Sequence, residues 1–298
     1  MSWILVFLSQ ATLMPFRWKL HLLSQTIPFI CFFILHSLGE YSLDTMLGLK
    51  SAEIYLFMFW ICCICNFSVF MFERLAYAEF LSLKKLNLEQ KKSEQLLLNI
   101  LPPSVAHQLK ENHNTIAETY QNVTILFADI VGFTQLSSQI SATELVELLN
   151  TIFSRFDRLA EKYGLEKIKT IGDAYMVVAG LPEPREDHAS AIADMAIDMQ
   201  LSLSQYNQHN QHPLNLRIGI HTGDVVAGVI GLKKFAYDLW GDTVNTASRM
   251  ESHSLPGKIQ VSESTYHVLK DQYQFQKRGK VSIKGKGDMD TYFLFSKQ

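Results

Sequence analysis

Two aspartates sit where a chain can hold a cation. Asp129 closes the apolar run that starts at Val123, and the Gly-containing turn Val131-Gly132-Phe133-Thr134 follows it. Asp173 follows Gly172 between two strand-like runs, Ile168–Ile171 and Tyr175–Val178, a spacing that predicts a tight β-hairpin. Two carboxylates at strand ends, with no His or Cys near them in sequence, suit a hard, oxygen-preferring cation such as Mg²⁺ or Mn²⁺. Such a cation normally accompanies a phosphate-bearing substrate, and the backbone N–H groups of the turn at 131–134 can face phosphate. Asn245 and Arg249 form a second pair, four residues apart on a predicted helix and therefore on one face of it. One isolated Asp commonly just caps a turn, and an isolated Asn or Arg is commonly a surface group. It is their combination that points to a site. No GxxxxGK[ST] loop is present, which argues against ordinary kinase or GTPase chemistry.

The elements that must position these groups alternate between strand and helix. Val123–Ala128 reads as a buried strand, and Ala142–Lys162 as an amphipathic helix with Leu145, Leu148, Leu149, Ile152, Phe153 and Phe156 at helical spacing. Arg185–Tyr206 reads as a second helix, and Asn207–Pro213 as a polar loop whose His209 and His212 are surface residues rather than ligands. Leu216–Ile220 and Val225–Val229 read as two strands around His221-Thr-Gly-Asp224, and Thr243–Ser252 as a short helix. Helices on one side of a largely antiparallel sheet make an α+β domain.

The chain has 298 residues, 48% of them hydrophobic, with a formal net charge of −2. That near-neutral charge gives no sign of nucleic acid as a partner. The averages hide a division, because residues 1–72 are poor in charge and rich in Phe, Leu and Ile. Leu20–Leu38 and Ile54–Phe72 each run 19 residues without a charge, about 28 Å as a helix and close to the hydrocarbon thickness of a bilayer. Gln25, His36 and Asn66 are polar exceptions expected to face another helix. Arg17 and Lys19 precede the first span, and Arg74, Lys84, Lys85, Lys91 and Lys92 follow the second, which places both ends in the cytoplasm. Residues 1–16 are apolar but short, compatible with a partial third span, an interfacial segment or a signal-like start. All four Cys (Cys31, Cys62, Cys63, Cys65) lie in the apolar part and read as small lipid-compatible residues, not a disulfide framework or zinc site. Glu73–Leu101 lacks Gly and Pro and continues as a helix, with Leu83, Leu86, Leu97 and Ile100 at heptad spacing interrupted by Gln90 and Ser93. Pro102 and Pro103 end it. The expected division is a membrane region at 1–72, a helical linker at 73–115 and a catalytic domain at 116–298.

From roughly Asn99 to Phe295 the chain resembles the class III nucleotide cyclases, the family of adenylate and guanylate cyclases. The motifs that carry the resemblance are Phe127-Ala-Asp-Ile-Val-Gly-Phe-Thr134, Lys169-Thr-Ile-Gly-Asp173, Leu216-Arg-Ile-Gly-Ile-His221, Phe235-Ala-Tyr-Asp-Leu-Trp-Gly241, Asn245-Thr-Ala-Ser-Arg249 and Ile283-Lys-Gly-Lys-Gly287. Asn99–Leu109 looks like the lead-in segment that many cyclases carry.

The resemblance implies a ferredoxin-like βαββαβ core and cyclisation of a nucleoside triphosphate. The ribose 3′-oxygen attacks the α-phosphorus and pyrophosphate leaves. It implies two Mg²⁺ or Mn²⁺ per site on Asp129, Asp173 and the Ile130 carbonyl. Gly132, Phe133, Thr134, Arg217 and Lys284 bind phosphate, with Lys286 a neighbour. Asn245 orients the ribose and Arg249 stabilises the pentavalent transition state. Lys169 and Asp238 match the adenine-selecting pair, where guanylate cyclases typically have Glu and Cys, so the expected substrate is ATP. In this family the metal aspartates come from one subunit and the base-selecting and transition-state residues from the other. A chain with both sets is therefore expected to be a homodimer anchored in membrane lipid, its catalytic domain cytoplasmic. The alternatives are a guanylate cyclase and a catalytically silent cyclase-like membrane receptor or dimerisation module. Silent domains usually lack a metal Asp or the Asn/Arg pair, and here every principal position is filled.

Overall fold

The computed structural model describes residues 17–38, 51–111, 116–208, 210, 213–231 and 235–298. Residues 1–16 and 39–50, His209 and His212 lie outside the described residues, as does the side chain of His36. The chain divides into two compact units, Met1–Gln95 and Leu96–Gln298.

The first unit contains α1 (Trp18–Ser37) and most of α2 (Ser51–Leu98). Both helices are long and apolar enough to cross a membrane. Most of their large apolar side chains, among them Ile27, Phe33, Phe59 and Phe67, point outward. Three polar residues, His21, Gln25 and Asn66, turn inward instead. Asn66 Nδ2 donates to Gln25 Oε1 at 2.6 Å and to the Cys62 carbonyl at 2.8 Å, and Gln25 Nε2 lies 2.9 Å from His21 Nε2. His21 and Gln25 are each only 1% exposed. Gln25 and Asn66 thus meet each other across the two helices. A polar side chain among apolar helices must find such a partner or leave its hydrogen-bonding groups unsatisfied. The Trp18 amide bonded to Glu73 Oε2 at 2.9 Å and the edge-to-face contact of Trp18 with Phe70 pin one end of the pair. The second apolar run and the charged stretch after it form one continuous helix of 48 residues, about 70 Å long. It stops at Leu98, and Pro103 opens the next helix, α3 (Pro103–Glu111), at a position where its missing N–H costs nothing.

The second unit is built on one eight-stranded sheet. Its strands are β1 (Ile116–Ile130), β2 (Glu166–Ile171), β3 (Ala174–Ala179), β4 (Leu216–Ile230), β5 (Ala236–Trp240), β6 (Ile259–Ser262), β7 (Tyr273–Ile283) and β8 (Gly287–Lys297). The order is β2-β3-β1-β4-β6-β8-β7, with β5 added to the C-terminal half of β4. All pairings are antiparallel except β4 with β6. The helices are α4 (Phe133–Ser137), α5 (Ala142–Tyr163), α6 (His188–Asn207), α7 (Asp242–Ser252) and α8 (Glu263–Leu269). The fold is α+β, as its alternation of periods predicts.

Alternation along β1 divides the core in two. Leu126, Ala128 and Ile130 face α5, α6 and α8, where Phe156, Ile192, Met195 and Leu269 bury against them. Val123, Ile125 and Phe127 face the opposite way, toward Val105, Tyr237, Leu239 and Ala247. Helices α3 and α7 therefore cover the second face, and the expectation of helices on one side only is corrected. Glycine makes this possible. A Cβ on Gly219 of β4 would lie 1.9 Å from the Glu251 nitrogen and 2.4 Å from the Met250 carbonyl carbon, so α7 rests directly on the strand. Gly219→Ala must push α7 off the sheet and move Asn245 and Arg249 with it. It is expected to lower stability by about 3 kcal/mol and to abolish any activity that uses those two residues. Denaturant midpoints alongside turnover will check this.

The two strands expected around His221-Thr-Gly-Asp224 are one unbroken strand, β4. Thr222 pairs with Thr124 and Gly223 with Val123 on β1, and the threonine hydroxyls lie 2.9 Å apart. At Gly223 the Thr243 hydroxyl comes within 2.7 Å of where a Cβ would be, so this glycine serves close packing rather than a turn. Irregularity falls on the partner strand instead. Asn122 takes a left-handed φ of 54° at a bulge in β1, which bends the strand, as such bulges do.

Candidate active site

Asp129 stands next to last on β1, opposite Ala174 on β3 and Arg217 on β4. Asp173 is the second residue of the two-residue turn joining β2 to β3, and Gly172 before it supplies the left-handed φ of 62°. The hairpin register thus brings the two carboxylates to one end of the sheet. Burial, and then the charge of Asp129, push the Asp173 carboxyl up to about 6. Among the described residues the cation held against the pair is Arg217, whose Nη2 donates to Asp129 Oδ2 at 2.6 Å. No group of three or more His, Cys, Asp or Glu among the described residues gathers as a metal site, here or elsewhere. Two crowded oxygen donors with a strand-end carbonyl at Ile130 fit a hard divalent cation.

The turn beyond Asp129 holds Gly132 at φ 77° as the N-cap of α4. The first-turn amides of Phe133 and Thr134 have no acceptor within their own helix. Phe133 packs on the core while Gly132 and Thr134 are exposed. Lys284 is exposed in the β7–β8 turn, and its neighbour Lys286 is drawn into an ion pair with Asp242. On α7, Asn245 and Arg249 are both exposed, and neither side chain engages a partner among the described residues. Lys169 on β2 and Asp238 on β5 form an ion pair with each other.

One residue of this site was not anticipated. Glu251 on α7 is 8% exposed and faces Arg217. Burial, and then the Asp129 charge, raise its carboxyl to about 7. The signal was present in the sequence. Thr243, Ala247, Met250 and Glu251 form the i, i+4, i+7, i+8 stripe that a helix buries, and a carboxylate on such a stripe needs a cation beneath it.

A third displaced carboxyl lies away from this cluster. Burial lifts Glu166 on β2 to about 7 from an ordinary 4.5. Between those values the folded chain keeps a proton that the unfolded chain has lost. The stability this contributes is complete below about 4.5 and gone above about 7. Burial of His221, which pulls its imidazole down to about 4, acts with the opposite sign below about pH 6.5, so the expected result is a difference: between about pH 5 and about pH 8 residues 96–298 with Glu166→Gln lose less melting temperature than the unsubstituted chain does. Asp173 and Glu251 act with the same sign as Glu166 and are unchanged in the variant.

Residues 115–296 match the family described as the adenylate and guanylate cyclase catalytic domain. An adenylate cyclase of Mycobacterium tuberculosis is 48% identical over 211 residues, which are 70% of this chain and 48% of that protein. The human guanylate cyclase soluble subunit beta-2 is 46% identical over 213 residues, 71% of this chain and 34% of that protein. This chain spans about half, or less, of the length of these relatives. Among solved structures, the adenylyl cyclase CyaB from P. aeruginosa superposes with a TM-score of 0.59 at 32% identity, covering 61% of this chain and 97% of that one. The guanylate cyclase domain of RhGC from Catenaria anguillulae, solved with GTP, gives 0.59 at 39% identity, covering 61% and 100%. Relatives of both substrate types are equally near, so identity alone does not choose between ATP and GTP. With the fold, the clustered aspartates and a match over most of its length in agreement, the chain belongs to the adenylate and guanylate cyclase catalytic domain family.

Proposed function

We propose that this protein is a membrane-anchored adenylate cyclase that converts ATP to 3′,5′-cyclic AMP and pyrophosphate at sites shared by two copies of the chain. The observation that carries the choice of base is the Lys169–Asp238 pair. An ammonium donor beside a carboxylate acceptor complements the N1 acceptor and N6 donor of adenine. The two side chains are 40% and 21% exposed, and so exposed a pair is worth only about 0.2–1 kcal/mol. Adenine can part them at little cost.

Asp129, Asp173 and the Ile130 carbonyl would hold two Mg²⁺ or Mn²⁺. Such ions, when bound, acidify the 3′-hydroxyl and neutralise the triphosphate. Arg217, Lys284 and the amides of Gly132, Phe133 and Thr134 hold phosphate oxygens. Asn245 orients the ribose, and Arg249 meets the charge that builds on the α-phosphorus.

The geometry of α7 supports a shared site. Glu251 points down to Arg217 beside Asp129, and Arg249, two residues earlier, is turned about 200° from it around the helix. Arg249 and Asn245 thus face away from their own chain's aspartates, toward solvent. A second copy supplies the aspartates they act on. The apolar, outward-facing surfaces of α1 and α2 support a membrane region over residues 1–72. The exposed Leu83 and Leu86 on the continuing helix support a linker that pairs with its counterpart in the second copy.

The test is the full chain in membranes supplied with ATP or GTP and Mn²⁺. Cyclic AMP from ATP is the expected product. Cyclic GMP would make it a guanylate cyclase, and no product from a folded dimer would make it a silent module.

A further inference from the structure

Arg217 creates a conflict at the proposed cation pair. Its Nη2 sits 2.6 Å from Asp129 Oδ2, on a carboxylate that a divalent cation needs. When a cation takes Asp129, the guanidinium is left beside a second positive charge and must find a counter-ion elsewhere. Glu251 offers one. Its Oε1 lies 3.2 Å from Arg217 Nε. Both atoms are buried, and neither makes a hydrogen bond among the described residues. They are a pair in contact but out of alignment, which a small rotation of the guanidinium away from Asp129 can complete. The carboxylate is held in place from behind, because Gly219 lets the backbone of Met250 and Glu251 lie directly on β4.

We infer that Glu251 is a positioning residue of the cation site, the counter-ion onto which Arg217 moves when Asp129 turns to a divalent cation. The inference rests on the reading of Asp129 and Asp173 as the cation pair. Without the Glu251 carboxylate, Arg217 keeps its ion pair with Asp129 and only the more distant charge of Asp173, itself part of the cation pair, so it competes with the cation for those groups. With it, Arg217 stays in the site, free to receive a phosphate oxygen.

The experiment titrates Mn²⁺ into the purified full chain with a non-cyclisable ATP analogue, reading free Mn²⁺ by electron paramagnetic resonance. Glu251→Gln is expected to weaken Mn²⁺ binding by about ten- to a hundredfold, the usual effect of losing a group that supports metal ligands. Glu251→Asp, which keeps the charge, should recover most of that loss. In an Arg217→Ala background Glu251→Gln should change Mn²⁺ binding little, because its effect runs through the guanidinium. A purely structural role would instead lower thermal stability equally in both backgrounds and leave Mn²⁺ affinity unmoved, and that result overturns the proposal. If the unsubstituted chain binds no Mn²⁺ while Asp129→Ala behaves identically, the cation reading itself fails and this inference with it.

Discussion

Asp129→Ala and Arg249→Ala, each made in the full chain, are expected to lower the proposed cyclic AMP formation by about a thousandfold or more, and co-expression of the two is expected to restore about a quarter of the unsubstituted rate. The reasoning follows from the two faces of α7. Arg249 and Asn245 are exposed, their side chains without a partner among the described residues, whereas Glu251 on the buried face reaches Arg217 and, through it, Asp129. If Arg249 serves the aspartates of the other copy, a two-fold dimer has two equivalent sites, each drawing one set of groups from each chain. In a mixed dimer one site then inherits both alanines and the other inherits neither. Random pairing makes about half of the dimers mixed, each with one good site of two, which gives the quarter. A chain that completed its own site would show no recovery at all. Differently tagged chains, co-purified to prove that mixed dimers form, make a flat result decisive against the shared site.

The parts of this molecule that were legible in the sequence are those where local chemistry and tertiary structure agree. Asp173 in a Gly-Asp turn is read correctly as the tip of a tight hairpin, because a two-residue connection leaves β2 and β3 no other pairing, and β3 in turn pairs with β1, which carries Asp129 at the end of its apolar run. Ala142–Lys162 differs from the observed α5 by one residue, since Ser141 and Glu144 form a capping box at its start and Gly164 takes a left-handed cap at its end. Legibility failed where packing overrode a local signal. His221-Thr-Gly-Asp224 has turn chemistry, but its glycine is consumed by the approach of Thr243 and its threonine by a buried hydroxyl contact with Thr124. The strands from β5 onward were not read, because β7 carries Gln274, Gln276, Lys277 and Arg278 and lies at the edge of the sheet, where no clean alternation is required. The side of the sheet that α7 occupies depends on Gly219, whose lack of a side chain announces nothing until the helix is seen lying on it. The pairing of Gln25 with Asn66 was half legible: a partner was expected, and only the structure says which.

The second large effect concerns the base. Lys169→Glu with Asp238→Cys is expected to reverse nucleotide choice, moving the ratio of kcat/KM for GTP over ATP by about 10⁴ or more. Adenine presents an acceptor at N1 and a donor at N6, which an ammonium and a carboxylate satisfy. Guanine presents an acceptor at O6 and donors at N1 and N2, which a thiol and a carboxylate satisfy in the reversed order. Because Lys169 and Asp238 already touch, neither can be changed without stranding the other. Lys169→Glu alone sets two carboxylates side by side where an ion pair stood, which excludes both bases and should leave little turnover of either nucleotide. Asp238→Cys alone leaves Lys169 without its counter-ion and the adenine N6 without a full acceptor. The gain for GTP should therefore appear only in the double variant, and the two single losses should not add up to its behaviour. Initial rates with each nucleotide for the four proteins give the whole cycle. If the double variant still prefers ATP, the Lys169–Asp238 pair is a surface ion pair that joins β2 to β5 and does not read the base, and the assignment of ATP would have to be sought in other residues of the site.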